Sequence, residues 1–175
     1  MKLEKIEWNK LGKVMVFVDS ANIIHSCNDL GWKIGYKALQ KYFQQNTKLV
    51  DIYFYSATES ANSKQNAFLA MLSRKGFKIR TKKLKYIKEG DGQVFVKGNL
   101  DAELTTDLIL RKDDYDTAVL LSGDSDFQAP ISAIQSFGKK VVVISTRGHI
   151  SFELVKTADF FLYLDEFKNY WELMP

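Results

Sequence analysis

Four short stretches of the chain are apolar at almost every position: Val14–Ser20 (VMVFVDS), Lys48–Ala57 (KLVDIYFYSA), Thr117–Ser122 (TAVLLS) and Lys140–Thr146 (KVVVIST). Runs of this length, rich in β-branched and aromatic residues, predict strands buried on both faces. Between them the period changes from continuous to helical. Tyr36–Gln45 places Leu39, Tyr42 and Phe43 at helical spacing, and helices are also predicted over Ile23–Leu30, Ser60–Lys75, Leu100–Lys112 and Phe127–Gly138. Gly31 and Gly76 are plausible stops for the first and third of these, and Pro130 falls in the first turn of the last. Phe77–Ile87 alternates apolar with basic residues, which predicts one half-exposed strand with a cationic face. The turn signal Glu89–Gly92 and the strand Gln93–Lys97 make it a hairpin. The tail holds a helical patch at Phe152–Lys156, the run Phe160–Leu164 and a last amphipathic helix to Trp171.

Buried strands alternating with helices predict a three-layer α/β/α arrangement around a mostly parallel sheet, with the basic β-hairpin added to it. The 175 residues carry no visible linker, repeat or low-complexity segment, so residues 1–175 read as a single domain. One cysteine excludes an internal disulfide and a thiolate-rich zinc site. No apolar run reaches the ~20 residues of a bilayer span, and the start lacks a signal-peptide core; a soluble, cytoplasmic protein is expected.

The net charge is +4, but its distribution says more. Ser73–Lys88 holds eight basic residues (Arg74, Lys75, Lys78, Arg80, Lys82, Lys83, Lys85, Lys88) and no acid, which leaves 17 bases against 21 acids elsewhere. From Asp101 to Asp126 eight carboxylates face only Arg111 and Lys112. A lysine-rich strip attracts phosphates, and a carboxylate cluster asks for a cation.

In a parallel sheet, chemistry collects at the carboxyl ends of the strands. Here those ends read Val18–Asn22 (VDSAN), Tyr55–Ala57 (YSA), Ser122–Phe127 (SGDSDF) and Ile144–Thr146 (IST). Asp19 and Asp124 would share one rim, and an all-oxygen set of this kind prefers Mg²⁺ or Mn²⁺ to zinc. On the helix that follows residue 100, Leu100, Leu104 and Leu108 define the sheet-facing stripe. Asp101 and Asp107 flank it about 60° to either side, ~9 Å apart along the axis. A helix-capping role is the competing reading for Asp101. Other chemistries lack their parts: Ala21 stands where a DxD phosphatase needs its second acid, and no glycine-rich phosphate loop occurs. His25 and Cys27 are two apart on a helix, do not face each other and read as structural; His149 reads as a loop residue.

Taken together, VFVDSANI (Val16–Ile23), KGNLDAELTTD (Lys97–Asp107) and the segment from Ala118 to Ser145 resemble the NYN domain, a branch of the PIN-like ribonuclease superfamily. The resemblance covers about residues 14–164. It implies a parallel sheet with helices on both sides and an acidic pocket holding Mg²⁺ or Mn²⁺ for hydrolysis of RNA phosphodiesters. By position it implies that Asp19, Asp107 and Asp124 are the central acids, with Asp101 and Asp126 supporting. The metal set is expected to be Asp19, Asp101, Asp107 and Asp124. Asn22, Ser122, Ser125 and Thr146 are expected near the phosphate. Arg80, Lys82, Lys83 and Lys85 are expected to hold the RNA, with Phe77, Tyr86 or Phe95 as stacking groups. Three functions stay open at this point: a metal-dependent endoribonuclease, a non-catalytic nucleic-acid-binding module, and a metal-dependent phosphohydrolase of small phosphoesters. The aromatic tail (Phe160, Phe161, Tyr170, Trp171) offers either a homodimer surface or a lid on the chain's own core.

Overall fold

The computed structural model describes residues 6–59, 61–88 and 94–173. In chain order the elements are β1 (Lys13–Asp19), α1 (Ser20–Leu30), α2 (Tyr36–Asn46), β2 (Lys48–Thr58), α3 (Ser63–Arg74), β3 (Lys78–Lys83), β4 (Lys85–Lys88), β5 (Val94–Lys97), α4 (Asp101–Leu110), β6 (Thr117–Leu121), α5 (Gln128–Ser136), β7 (Lys140–Ser145), α6 (Phe152–Thr157), β8 (Phe160–Tyr163) and α7 (Lys168–Trp171). Six strands form one sheet in the order β3-β2-β1-β6-β7-β8, and every neighbouring pair is parallel. The chain winds outward from β1 to β3, then returns to the other side of β1 and winds outward again to β8.

Alternation along β1 explains why its sequence is apolar from Val14 to Val18. Val14, Val16 and Val18 enter one core with Ile23 of α1, Leu39 and Phe43 of α2, Leu72 of α3 and Trp171 of α7. Met15 and Phe17 enter a second core with Leu104 and Leu108 of α4, Ile131 and Ile134 of α5 and Leu154 of α6. Each strand residue thus has a helix above or below it, which is the condition that makes a parallel strand read as a continuous hydrophobic run. Local signals set the helix ends. The Asp19 carboxylate accepts from Asn22 N–H at the start of α1, and Gly31 ends that helix with φ of 70°, a left-handed conformation that favours glycine.

One predicted feature differs from the structure. The expected single strand Phe77–Ile87 breaks at Leu84. Its first half, β3, pairs with β2 as far as Thr58, where β2 ends, and Leu84 N–H closes that pairing on the Thr58 carbonyl. Beyond this point the edge offers no partner, so β4 pairs antiparallel with β5 in a separate two-stranded sheet. The turn expected at Glu89–Gly92 lies outside the described residues. The run Phe160–Tyr163 forms the sixth strand, which makes the central sheet wholly parallel.

The tail packs on the chain's own core. Trp171 is fully buried and stacks on Phe167 at 3.9 Å, against Phe43; Phe161 is also buried, whereas Tyr170 is exposed. No helix among the described residues is long and apolar enough to cross a membrane.

Candidate active site

The strand order reverses between β1 and β6, and in such sheets the loops that leave the two strands diverge to opposite faces and open a crevice at their carboxyl ends. The sequence places Asp19 at the end of β1 and Ser122-Gly123-Asp124 just past β6. Register does the rest. Asp19 lies beside Tyr55 of β2, which lies beside Arg80 of β3. Alternation turns this row towards the face covered by α4.

A chain of hydrogen bonds ties the two strand ends together. Ser122 Oγ donates to Asp19 Oδ2 at 2.9 Å, and Gly123 N–H donates to Asn22 Oδ1 at 3.0 Å. Asp124 N–H reaches Ser122 Oγ at 3.3 Å, and Asp126 N–H donates to Asp124 Oδ1 at 3.0 Å. Ser122 is fully buried, so its hydroxyl orients Asp19 from behind. Burial raises the pKa of Asp19, and the charge of Asp124 adds to the rise; the donors Ser122 and Asn22 oppose it.

α4 completes the site from above. Asp101 opens its first turn, and Asn99 Nδ2 donates to Asp101 Oδ2 at 2.6 Å. The helix is capped at Leu100, so Asp101 is free of the capping role weighed for it. Carboxylate oxygens of Asp101, Asp124 and Asp126 lie within 4.8 Å of one another. Asp19, Asn22, His25, Tyr55, Asn99, Asp101 and Asp124 share one cavity of about 290 Å³, and among the described residues no lysine or arginine lines it. Unneutralised acids at this spacing repel. Desolvation first, and then the charges of Asp19, Asp124 and Asp126, push the Asp101 carboxyl up to about 6. An oxygen-only set short of positive charge fits a hard divalent cation.

Asp107, expected in the same metal set, goes elsewhere. It is nearly buried, and its Oδ2 accepts from Tyr55 Oη at 2.9 Å and from Arg80 Nε at 2.8 Å, while Arg80 Nη2 donates to Oδ1 at 3.3 Å. It is not among the residues lining the acidic cavity. Of the expected RNA contacts, Arg80 is therefore committed to Asp107, and Lys82 pairs with Glu103 of α4 at 2.9 Å. Lys83 and Lys85 remain exposed. Thr146 is buried and donates to Ser26 Oγ at 3.3 Å rather than facing the cavity; Ser125 is exposed on the acid-bearing turn. Phe77 belongs to the core, and Tyr86 is exposed with its hydroxyl on Glu59. Phe95 lies among residues whose side chains are not described.

Sequence reasoning missed three wall residues. His25 lines the cavity while Cys27 is buried on the other side of α1. The signal was available, because His25 lies one helical turn beyond Asn22 and so shares its face. Asn99 stands inside the motif already singled out, two residues before Asp101. Tyr55 could be found only from the register of β2 on β1.

Both the sequence and the fold have known relatives. A family model described as the NYN domain matches residues 13–165. The Low amplitude and bright protein LabA of Synechococcus elongatus (strain ATCC 33912 / PCC 7942 / FACHB-805) is 29% identical over 164 residues, covering 91% of this chain and 88% of LabA. A crystal structure of a protein of unknown function from Vibrio parahaemolyticus RIMD 2210633 superposes with a TM-score of 0.77 at 29% identity, over 93% of this chain and 96% of that one. With matching motifs, a match over most of its length and a shared fold, this chain belongs to the NYN domain family.

Proposed function

We propose that this protein is a divalent-metal-dependent endoribonuclease whose active site is the acidic cavity between β1 and β6. The observation that carries the reading is the convergence of Asp101, Asp124 and Asp126, from two separate elements, to within 4.8 Å. Asp19 stands in the same cavity, with no lysine or arginine among its described lining. Family membership supports nuclease chemistry and an RNA substrate.

In this reading Asp101, Asp124 and Asp126 hold Mg²⁺ or Mn²⁺, with Asp19 on the β1 side of the cavity. A bound ion of this kind supplies Lewis-acid polarisation of the phosphate, a more acidic water and charge neutralisation at the leaving oxygen. The chain's own residues prepare the place. Ser122 and Asn22 fix Asp19 and the Gly123 turn, so that acids from β1 and β6 keep one spacing. Asn99 holds the Asp101 carboxylate on the cavity side of α4. His25 offers the cavity an imidazole that can donate to a phosphate oxygen.

The test is cleavage of labelled single-stranded RNA by purified protein with Mn²⁺ or Mg²⁺, in parallel with DNA and mononucleotide phosphoesters. Internal cleavage of RNA is expected, lost with Asp19→Asn and Asp124→Asn together. Cleavage that survives both substitutions rejects the site; turnover restricted to mononucleotides replaces the reading with a small-phosphoester hydrolase.

A further inference from the structure

The connection from β7 to β8 contributes nothing to the acidic cavity, yet it is pressed against the turn that carries Asp124. Ser151 N–H donates to the Gly123 carbonyl at 3.1 Å, and a Cβ on Gly123 would run into the His149 carbonyl. His149 Nε2 meets Asp29 Oδ2 at 2.6 Å, which ties the same loop to the end of α1. The loop thus has a fixed place beside the acids.

What it presents outward is cationic and aromatic. The Arg147 guanidinium lies 4.0 Å from the centre of the Tyr163 ring, and Lys156 Nζ lies 4.2 Å from that of Phe152. Phe152 is 67% exposed. Arg147 and Lys156 are exposed, and among the described residues neither has an ion-pair partner, whereas Lys78, Arg80 and Lys82 of the β3 strip each hold a carboxylate. Glu153 is the one acid between Arg147 and Lys156. A guanidinium held over a ring face by a cation–π contact keeps N–H donors free for a phosphate. An exposed phenylalanine offers a face on which any base stacks. Arg147 follows β7, one strand spacing of about 4.8 Å from β6.

We propose that the β7–β8 connection is the polynucleotide track of this protein. Phe152 stacks a base, and Arg147, held over the Tyr163 ring, takes a neighbouring phosphate together with Lys156. The bound molecule is a single-stranded RNA whose reacting linkage lies at the acidic cavity; this assignment rests on the ribonuclease reading for that last point. Of the β3 strip, expected from sequence to hold the RNA, Arg80 and Lys82 then serve as counter-charge for α4.

Fluorescence anisotropy of a labelled oligouridylate on the protein carrying both Asp19→Asn and Asp124→Asn, with Mg²⁺, reads binding without turnover. Arg147→Ala and Phe152→Ala are each expected to weaken binding about tenfold. Arg147→Ala should also reduce the steepness of the salt dependence by about one, and Phe152→Ala should leave it unchanged. Arg147→Lys should keep the salt dependence and restore only part of the affinity. Lys112→Ala is the control: its ammonium lies over Phe137 at the far end of α4, and no change is expected. Affinity and salt dependence unchanged in both Arg147→Ala and Phe152→Ala, or no RNA retention by the parent protein, overturns the inference. Metal-dependent cleavage, measured separately without the Asp19 and Asp124 changes, keeps the two readings apart. Binding that needs Arg147 and Phe152 without any cleavage retires the ribonuclease and keeps the track; cleavage and binding indifferent to both do the reverse.

Discussion

The two aspartates of α4, six residues apart on one helix, meet opposite fates. Asp107 is nearly buried but satisfied, with a bidentate guanidinium and a phenol on its two oxygens. Asp101 is less buried and accepts a single side-chain bond from Asn99, and the carboxylates of Asp19, Asp124, Asp126 and Glu103 all act on it. The result is a helix whose far end is held down by charge pairing while its first turn is held near like charges. The two acids therefore differ here in the company each keeps, because both flank the same leucine stripe. Proteins concentrate strain of this kind where a ligand will relieve it.

That contrast can be broken from either end. The largest effect is expected at the first turn: Asp101→Asn combined with Asp124→Asn should lower metal-dependent RNA cleavage by a factor on the order of 10³, read in single-turnover assays. Activity within tenfold of the parent would move the chemistry elsewhere. Next comes Asp107→Ala, which strands Arg80 and Tyr55. It should cost about 2–3 kcal/mol in chemical denaturation, less than the ~3–5 of a wholly buried pair because Arg80 is partly exposed. The metal-induced rise in melting temperature should persist in this variant if Asp107 is structural. A loss of that rise with no loss of stability would transfer Asp107 to the metal set.

A smaller effect of opposite sign belongs to Asp101→Asn alone in metal-free protein, which removes one repelling charge and should stabilise by about 0.5–1 kcal/mol. The pH dependence sharpens the same point. The folded state holds the Asp101 proton up to about 6, against an ordinary value of 3.8, and Asp19 is raised as well. The folded chain therefore binds more protons than the unfolded chain in this window, and the contribution of these groups to stability falls as pH rises through it. Metal-free melting temperature should decline between pH 5 and 7 from this source, and millimolar Mn²⁺ should flatten the decline. A profile unaffected by Mn²⁺ would mean that the acids do not take the ion.

Much of this was legible from the residues alone, for a definite reason. The interiors of β1, β6 and β7 are apolar because both their faces are covered, and that property is local to each run. Asp19, Asp101 and Asp124 could be placed because strand ends and a helical wheel are also local constructions. What could not be read was the choice between Asp101 and Asp107. It depends on Arg80, which reaches Asp107 only through the register of β3 on β2. The same register split the basic segment at Leu84 and gave two of its cations to α4. His25 was passed over for a different reason: it was weighed with Cys27, when its helical neighbour was Asn22.

The packing of α7 bears on where this domain can be cut. Its last strand, β8, ends at Tyr163, but Phe167 and Trp171 beyond it are fully buried against α2. Removing either large aromatic from a core typically costs about 3–5 kcal/mol, and a domain of this size has about 5–15 to lose. A chain trimmed after β8 would keep every acid of the cavity and still fail to fold stably, so an inactive truncation of that kind would report on the lost anchor and say nothing about the chemistry.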